Sequence, residues 1–111
     1  MARGDYLGEF EEIVLLTTVR LGAEAYGMTI RREIEARTGR AVSIGAVYAT
    51  LERLVDKRLL SVGERERDPA RDGRPRRFFA VTTAGRSALD AAESLRARLR
   101  SGLRLRRSGR A

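Results

Sequence analysis

The sequence predicts a mainly α chain with one β-hairpin, and three observations carry that expectation. Apolar residues recur at helical spacing in four segments. Glycines close the first two of these, at Gly22 and Gly39. The one stretch of strand-like alternation is divided by the turn-rich run E-R-D-P-A-R-D-G-R-P-R. The 111 residues suffice for one domain with a modest core, so a second copy is an expected source of further burial.

Each element has its own signal. Leu7 to Leu21 reads as a helix whose wide apolar face holds Leu7, Phe10, Ile13, Val14, Leu15, Leu16, Val19 and Leu21. Glu9, Glu11 and Glu12 stand in its first turns, where the helix dipole favours negative charge. A second helix is expected over Ala25 to Thr38, with Tyr26, Ile30 and Ile34 inward and Gly39 as its left-handed stop. Ser43 is a good N-cap for a third helix reaching Leu59. Ile44, Val47, Leu51, Leu54 and Val55 form its buried stripe. Its outward residues are Gly45, Ala46, Ala49, Thr50 and Arg53, with Tyr48 beside the stripe.

Leu60 to Arg65 and Arg77 to Thr82 have strand character and meet around the polar run. An isolated hairpin is marginal, so this one must lean on the helices, and Phe78 and Phe79 are suited to pin its base. Thr82 or Thr83 caps a fourth helix. Its stripe of Leu89, Ala92, Leu95, Leu99 and Leu103 is narrow, closer to a coiled-coil seam than to a globular face. The expected organisation is residues 1–83 as one domain, 84–105 as a dimerisation helix and 106–111 as a basic flexible tail.

Composition narrows the function. There is no cysteine and no histidine, which removes disulfides, thiolate nucleophiles, most zinc sites and the usual general base. The acids are scattered beside arginines, as surface pairs are, so no enzyme, metal or cofactor is expected. No apolar run is long enough to span a bilayer, and the N-terminus carries acids where a secretory peptide is apolar. The expectation is a soluble, cytoplasmic protein with no membrane partner. The net charge is +8, and its placement is informative. Residues 1–60 hold nine basic and nine acidic side chains, whereas residues 61–111 hold fourteen arginines against six acids. The excess lies wholly in the second half, which favours a polyanionic partner.

The short link from Gly39 to Val42 makes the second and third helices a helix-turn-helix, and the trailing hairpin makes it a winged one. In that arrangement the third helix enters the DNA major groove, which admits one helix. Close entry needs small residues at the leading end, as Gly45, Ala46 and Ala49 provide. The expected DNA-binding residues are Ser43, Gly45, Ala46, Tyr48, Ala49, Thr50 and Arg53 on the helix, with Arg74, Arg76 and Arg77 on the wing beside Arg71. Tyr48 either bonds a phosphate or base, or packs half-buried under the wing. Arg53 either meets phosphate or pairs with Glu52 or Asp56. Few of these outward side chains can read a base edge, so readout falls partly to DNA shape. A winged-helix module that binds acidic protein partners is the alternative reading.

With these residues in view, the sequence resembles the PadR-type transcriptional regulators of the short kind with one C-terminal helix. The resemblance rests on Tyr26-Gly27 with Ile30 and Glu33-Ile34-Glu35, on S-I-G-A-V-Y-A-T-L-E-R-L from Ser43, and on G-R-P-R-R-F-F-A-V-T-T-A-G-R-S-A-L from Gly73. It covers roughly residues 7 to 100. It implies a homodimeric repressor of its own or a neighbouring gene, in which the C-terminal helix of one protomer packs on the N-terminal helix of the other. Leu95, Leu99 and Leu103 match that role, with Leu7 and Phe10 as partners; the alternative is packing of the stripe within one protomer. Some family members respond to a small hydrophobic effector near the dimer interface. The sequence departs from the family at two positions. Where the family has Gly after the third helix, this chain has Arg58; a left-handed turn there costs about 1 kcal/mol, so a different helix ending is expected. Where the family often has a hydroxyl, this chain has Ala46, which removes a base or phosphate contact.

Overall fold

The computed structural model describes residues 6–68 and 73–104. The elements are α1 (Glu9–Leu21), α2 (Gly27–Thr38), α3 (Ile44–Asp56), β1 (Leu60–Asp68), β2 (Arg74–Val81) and α4 (Thr83–Arg100). A single 3-10 turn, Gly22–Glu24, follows α1. Among the described residues no helix is long and apolar enough to cross a membrane.

The core lies where α1, α2 and α3 meet and the hairpin closes over them. Val14, Leu15, Ile30, Ile34, Val47, Leu51 and Leu54 are fully buried, joined by Leu60 and Phe79 from the strands. Each such aliphatic side chain contributes about 1.5–3 kcal/mol when taken from water. Leu16, expected inward, is 51% exposed, while Thr17 and Thr18 are buried in its place. Their hydroxyls donate to the Ile13 and Val14 carbonyls at 2.7 and 2.8 Å, which satisfies them without a core partner.

The second helix starts two residues later than its apolar pattern suggests. The Thr29 hydroxyl accepts the Tyr26 N–H at 3.0 Å and caps the helix there. Ala25 is extended and buried, and its carbonyl accepts the Phe79 N–H at 2.9 Å. That bond gives β2 a partner on its outer edge and fixes the hairpin to the helices.

The third helix stops at Asp56, three residues short of Leu59. Arg58 adopts φ 64°, so the left-handed turn forms despite the missing glycine. The Leu59 N–H reaches the Leu54 carbonyl and the Arg58 N–H the Val55 carbonyl, both at 2.9 Å, as in a Schellman stop. The fourth helix locks this corner. Its cap Thr82 donates its hydroxyl to the Arg58 carbonyl at 2.8 Å and its N–H to the Leu59 carbonyl at 3.1 Å. Gly85 is buried one turn in, where a Cβ would stand 2.2 Å from the Leu59 oxygen. These bonds are what offset the strain at Arg58.

The strands are longer than expected, because pairing continues into the polar run as far as Asp68 opposite Arg74. The antiparallel register sets Leu60 against Val81, Val62 against Phe79 and Glu64 against Arg77. It slips between Arg65 and Arg67, next to Pro75, which has no N–H to give the ladder.

One buried acid joins α1 to α3. Glu11 accepts the Gly8 N–H at 2.9 Å and two bonds from Lys57 Nζ, at 2.9 and 3.2 Å. Arg53 Nε lies 3.7 Å away. Burial by itself would raise the Glu11 pKa, but the Gly8 bond and the Lys57 and Arg53 charges outweigh it and hold the carboxyl below its ordinary value.

Two predictions follow from this packing. Gly85→Ala should destabilise the chain by about 1–3 kcal/mol in urea unfolding, because the methyl group meets backbone that cannot yield cheaply. The Glu11 contribution is fully present above the unfolded carboxylate pKa and is lost as pH falls through its lower folded value. Glu11→Gln should therefore lower the melting temperature at pH 7 and flatten its fall below a pH of about 4.

Candidate nucleic-acid interface

The face of α3 that turns away from the core is small at its leading end. The Ser43 hydroxyl caps the helix by accepting the Ala46 N–H at 3.0 Å, and Ser43, Gly45, Ala46 and Ala49 are exposed. The seven residues from Ser43 to Ala49 thus include three with no side chain beyond a methyl group, so the helix end can come close to another surface. Tyr48 is half-buried with its ring end against Gly27 of α2; a Cβ on Gly27 would lie 2.5 Å from its Cζ and Oη. The half-burial of the packing alternative is seen for Tyr48, with its contact to Gly27 of α2 where the sequence reading expects the wing.

Thr50 corrects the sequence reading. It is 2% exposed and so does not belong to the outward face. Its hydroxyl accepts from Arg53 Nη2 at 3.0 Å, the bond that lets it be buried. The helical period places it between the outer and inner faces, and the hydroxyl alone suggests neither. Arg53 remains more than half exposed, but its ionic partner is Glu11 across the helix pair, neither Glu52 nor Asp56.

The hairpin carries its cations on aromatic supports. Arg65 stacks 3.7 Å above the Phe78 ring and donates to the Ala23 carbonyl. Arg76 stands 4.0 Å above Tyr26, which in turn meets Phe78 edge-on at a ring separation of 5.3 Å. Such stacking holds a guanidinium in place over the ring face. Phe79 is buried as expected, whereas Phe78 is only half-buried and serves as this platform. Arg77 Nη1 lies 2.8 Å from Glu52 Oε2 of α3, and that bond raises the Arg77 pKa further. The sequence gives no local sign of this pair, which spans 25 positions. Arg71 and the Arg74 side chain lie outside the described residues, as do residues 105–111 with the basic tail.

Behind this face, α4 leans on α1 and β2 along one edge only. Ala88 is buried, but Leu95 and Leu99 are exposed, Leu99 by 71%. Leu103 is exposed beyond the end of the helix, which stops at Arg100. Leu7 and Phe10 are half-buried against the core. A cavity of about 440 Å³ opens between Tyr6, Leu7, Ala88, Ala92, Leu95 and Leu99. Arg96 ties α4 to Glu12 of α1 at 2.6 Å.

Comparison with known proteins agrees with this geometry. No curated protein matches the chain. Among solved structures, a PadR-like transcription factor from Bacteroides fragilis is 28% identical, with 81% of this chain and 82% of that one covered and a TM-score of 0.67. RosR of H. salinarum is also 28% identical, covering 88% and 81%, with a TM-score of 0.62. F93 from STIV, a winged-helix DNA-binding protein, is 22% identical over 89% of this chain and 99% of its own, with a TM-score of 0.66, and speaks for the fold. The family model for PadR-like transcriptional regulators matches residues 15–91, from the middle of α1 into α4. This winged helix-turn-helix chain belongs to the PadR-like family of transcriptional regulators.

Proposed function

We propose that the chain is a homodimeric repressor in the cytoplasm. Two copies, joined through α4 and α1, set paired α3 helices into successive major grooves of a duplex near its own or a neighbouring gene. Residues 1–83 read the DNA and residues 84–105 join the copies. Ser43, Gly45, Ala46, Tyr48, Ala49 and Arg53 line the groove; Arg74, Arg76 and Arg77 meet the flanking backbone. A small hydrophobic effector that enters the cavity beside Leu7 and Leu95 would relieve repression by moving one copy against the other.

The observation that carries this reading is the pairing of two opposite surfaces on one small chain. Leu95 and Leu99 on α4 and Leu103 just beyond it are exposed and call for an apolar partner, since such leucines are costly to leave in water. The uncharged leading end of α3, beside stacked arginines, suits close approach to phosphate-lined grooves. Identical copies related by a two-fold axis are the simplest way to cover the first surface and duplicate the second.

A footprint on the upstream region at two salt concentrations tests the reading, together with sedimentation of the free protein. The expected results are a dimer at micromolar concentration and a palindromic protected site with half-sites about one helical turn, or a multiple, apart. Protection should fade steeply with salt. A monomer that leaves the region unprotected in dilute buffer would contradict it.

A further inference from the structure

The outward stripe of α3 changes character along its length. Gly45, Ala49, Glu52 and Asp56 follow one another at spacings of four, three and four, so they share a face. The leading half of that face is small and neutral, but the trailing half is acidic. A carboxylate on a face turned toward phosphates is repelled by them, which is an unexpected choice for a duplex-binding helix. Glu52 is about half exposed and has one ionic partner in the described residues, Arg77 of the hairpin at 2.8 Å. The strand register also sets Arg77 opposite Glu64, so two acids face this one cation.

The pair could serve to hold the wing against the helix, but the wing has better anchors. Phe79 is buried, its N–H is bonded to Ala25, and Arg65 reaches the Ala23 carbonyl. Thr82 fastens the hairpin's end to the turn after α3. Against these, one exposed ion pair adds little rigidity. Its larger effect is electrostatic: it keeps a wing cation occupied and neutralises a helix anion while no duplex is present.

We propose that Glu52 is an internal competitor for Arg77. In the free protein the carboxylate holds the guanidinium; on a duplex, Arg77 exchanges it for a phosphate oxygen. Glu52 thereby weakens binding to every sequence alike and lowers retention on non-cognate DNA. This inference rests on the duplex-binding reading above and adds a positioning residue to it. Its chemistry is a plain exchange of one anionic partner for another.

Fluorescence anisotropy of the full-length chain on a mixed-sequence duplex and on the footprinted duplex, across a salt series, tests the exchange. Melting curves establish that each variant folds, and Glu52 is exposed enough to be replaced without disturbing the core. Glu52→Gln should bind both duplexes about two- to fivefold more tightly at low salt, the range expected from removing one surface pair. Arg77→Ala should bind both more weakly and lose about 0.9 from the slope of log affinity against log salt, one phosphate contact's share. In the Arg77→Ala background the gain from Glu52→Gln should largely vanish. Weaker or unchanged binding by Glu52→Gln on both duplexes would overturn the proposal. So would a loss confined to the footprinted duplex, which marks a base contact, or a gain undiminished without Arg77. A wild-type chain that binds neither duplex would overturn the duplex-binding reading, and the exchange with it.

Discussion

The third helix is buried on one side only, and everything else in the chain serves to keep it so. Val47, Leu51 and Leu54 are fully buried against α1, α2 and the hairpin base. That leaves Gly45, Ala46 and Ala49 exposed among the described residues. The far end is fixed by polar means. Glu11 holds Lys57 at 2.9 Å, and the Arg58 turn is bonded to Thr82. Apolar burial alone would let the helix slide or roll by some degrees; the buried acid and the capped corner oppose both motions, because each displacement strands a charge or a carbonyl. The neutral leading end is therefore presented at a fixed angle to the wing.

The same economy governs the positive charge. A net charge of +8 suggests a surface covered with available cations. The structure assigns many of them to partners: Arg31 to Glu35, Arg37 and Arg20 to Glu33, Arg96 to Glu12, Lys57 and Arg53 to Glu11, and Arg77 to Glu52. On the hairpin, Arg65 and Arg76 lie on aromatic rings. The total charge thus overstates the number of cations without an acidic neighbour.

Much of this was legible in the residues. Helical periodicity placed four helices, and Gly22, Gly39, Ser43 and Thr82 marked boundaries that hold to within a few positions, because local caps decide them. The start of α2 falls later than periodicity predicts because Ala25 is drawn into pairing with Phe79, a contact 54 positions away that no local pattern carries. The end of α3 departs from the pattern for a related reason. The strain at Arg58 is real, but it is offset by bonds from Thr82, which periodicity does not link to it. The face of Thr50 is not legible from its position, because its burial depends on Arg53 covering its hydroxyl. Gly85 carries a further signal: a glycine in the first turn of a helix, where alanine is the better helix former, marks a place where another backbone comes close.

The central claim is that α3 docks through a surface whose value lies in its lack of side chains. Ala49→Leu tests it most directly, measured as retention on the footprinted duplex beside the melting temperature. The position is exposed and leucine favours helix, so the fold should be untouched. The account predicts an unchanged melting temperature and loss of site-specific retention, because the added side chain holds the helix off the bases. Full retention by a folded Ala49→Leu chain would contradict it.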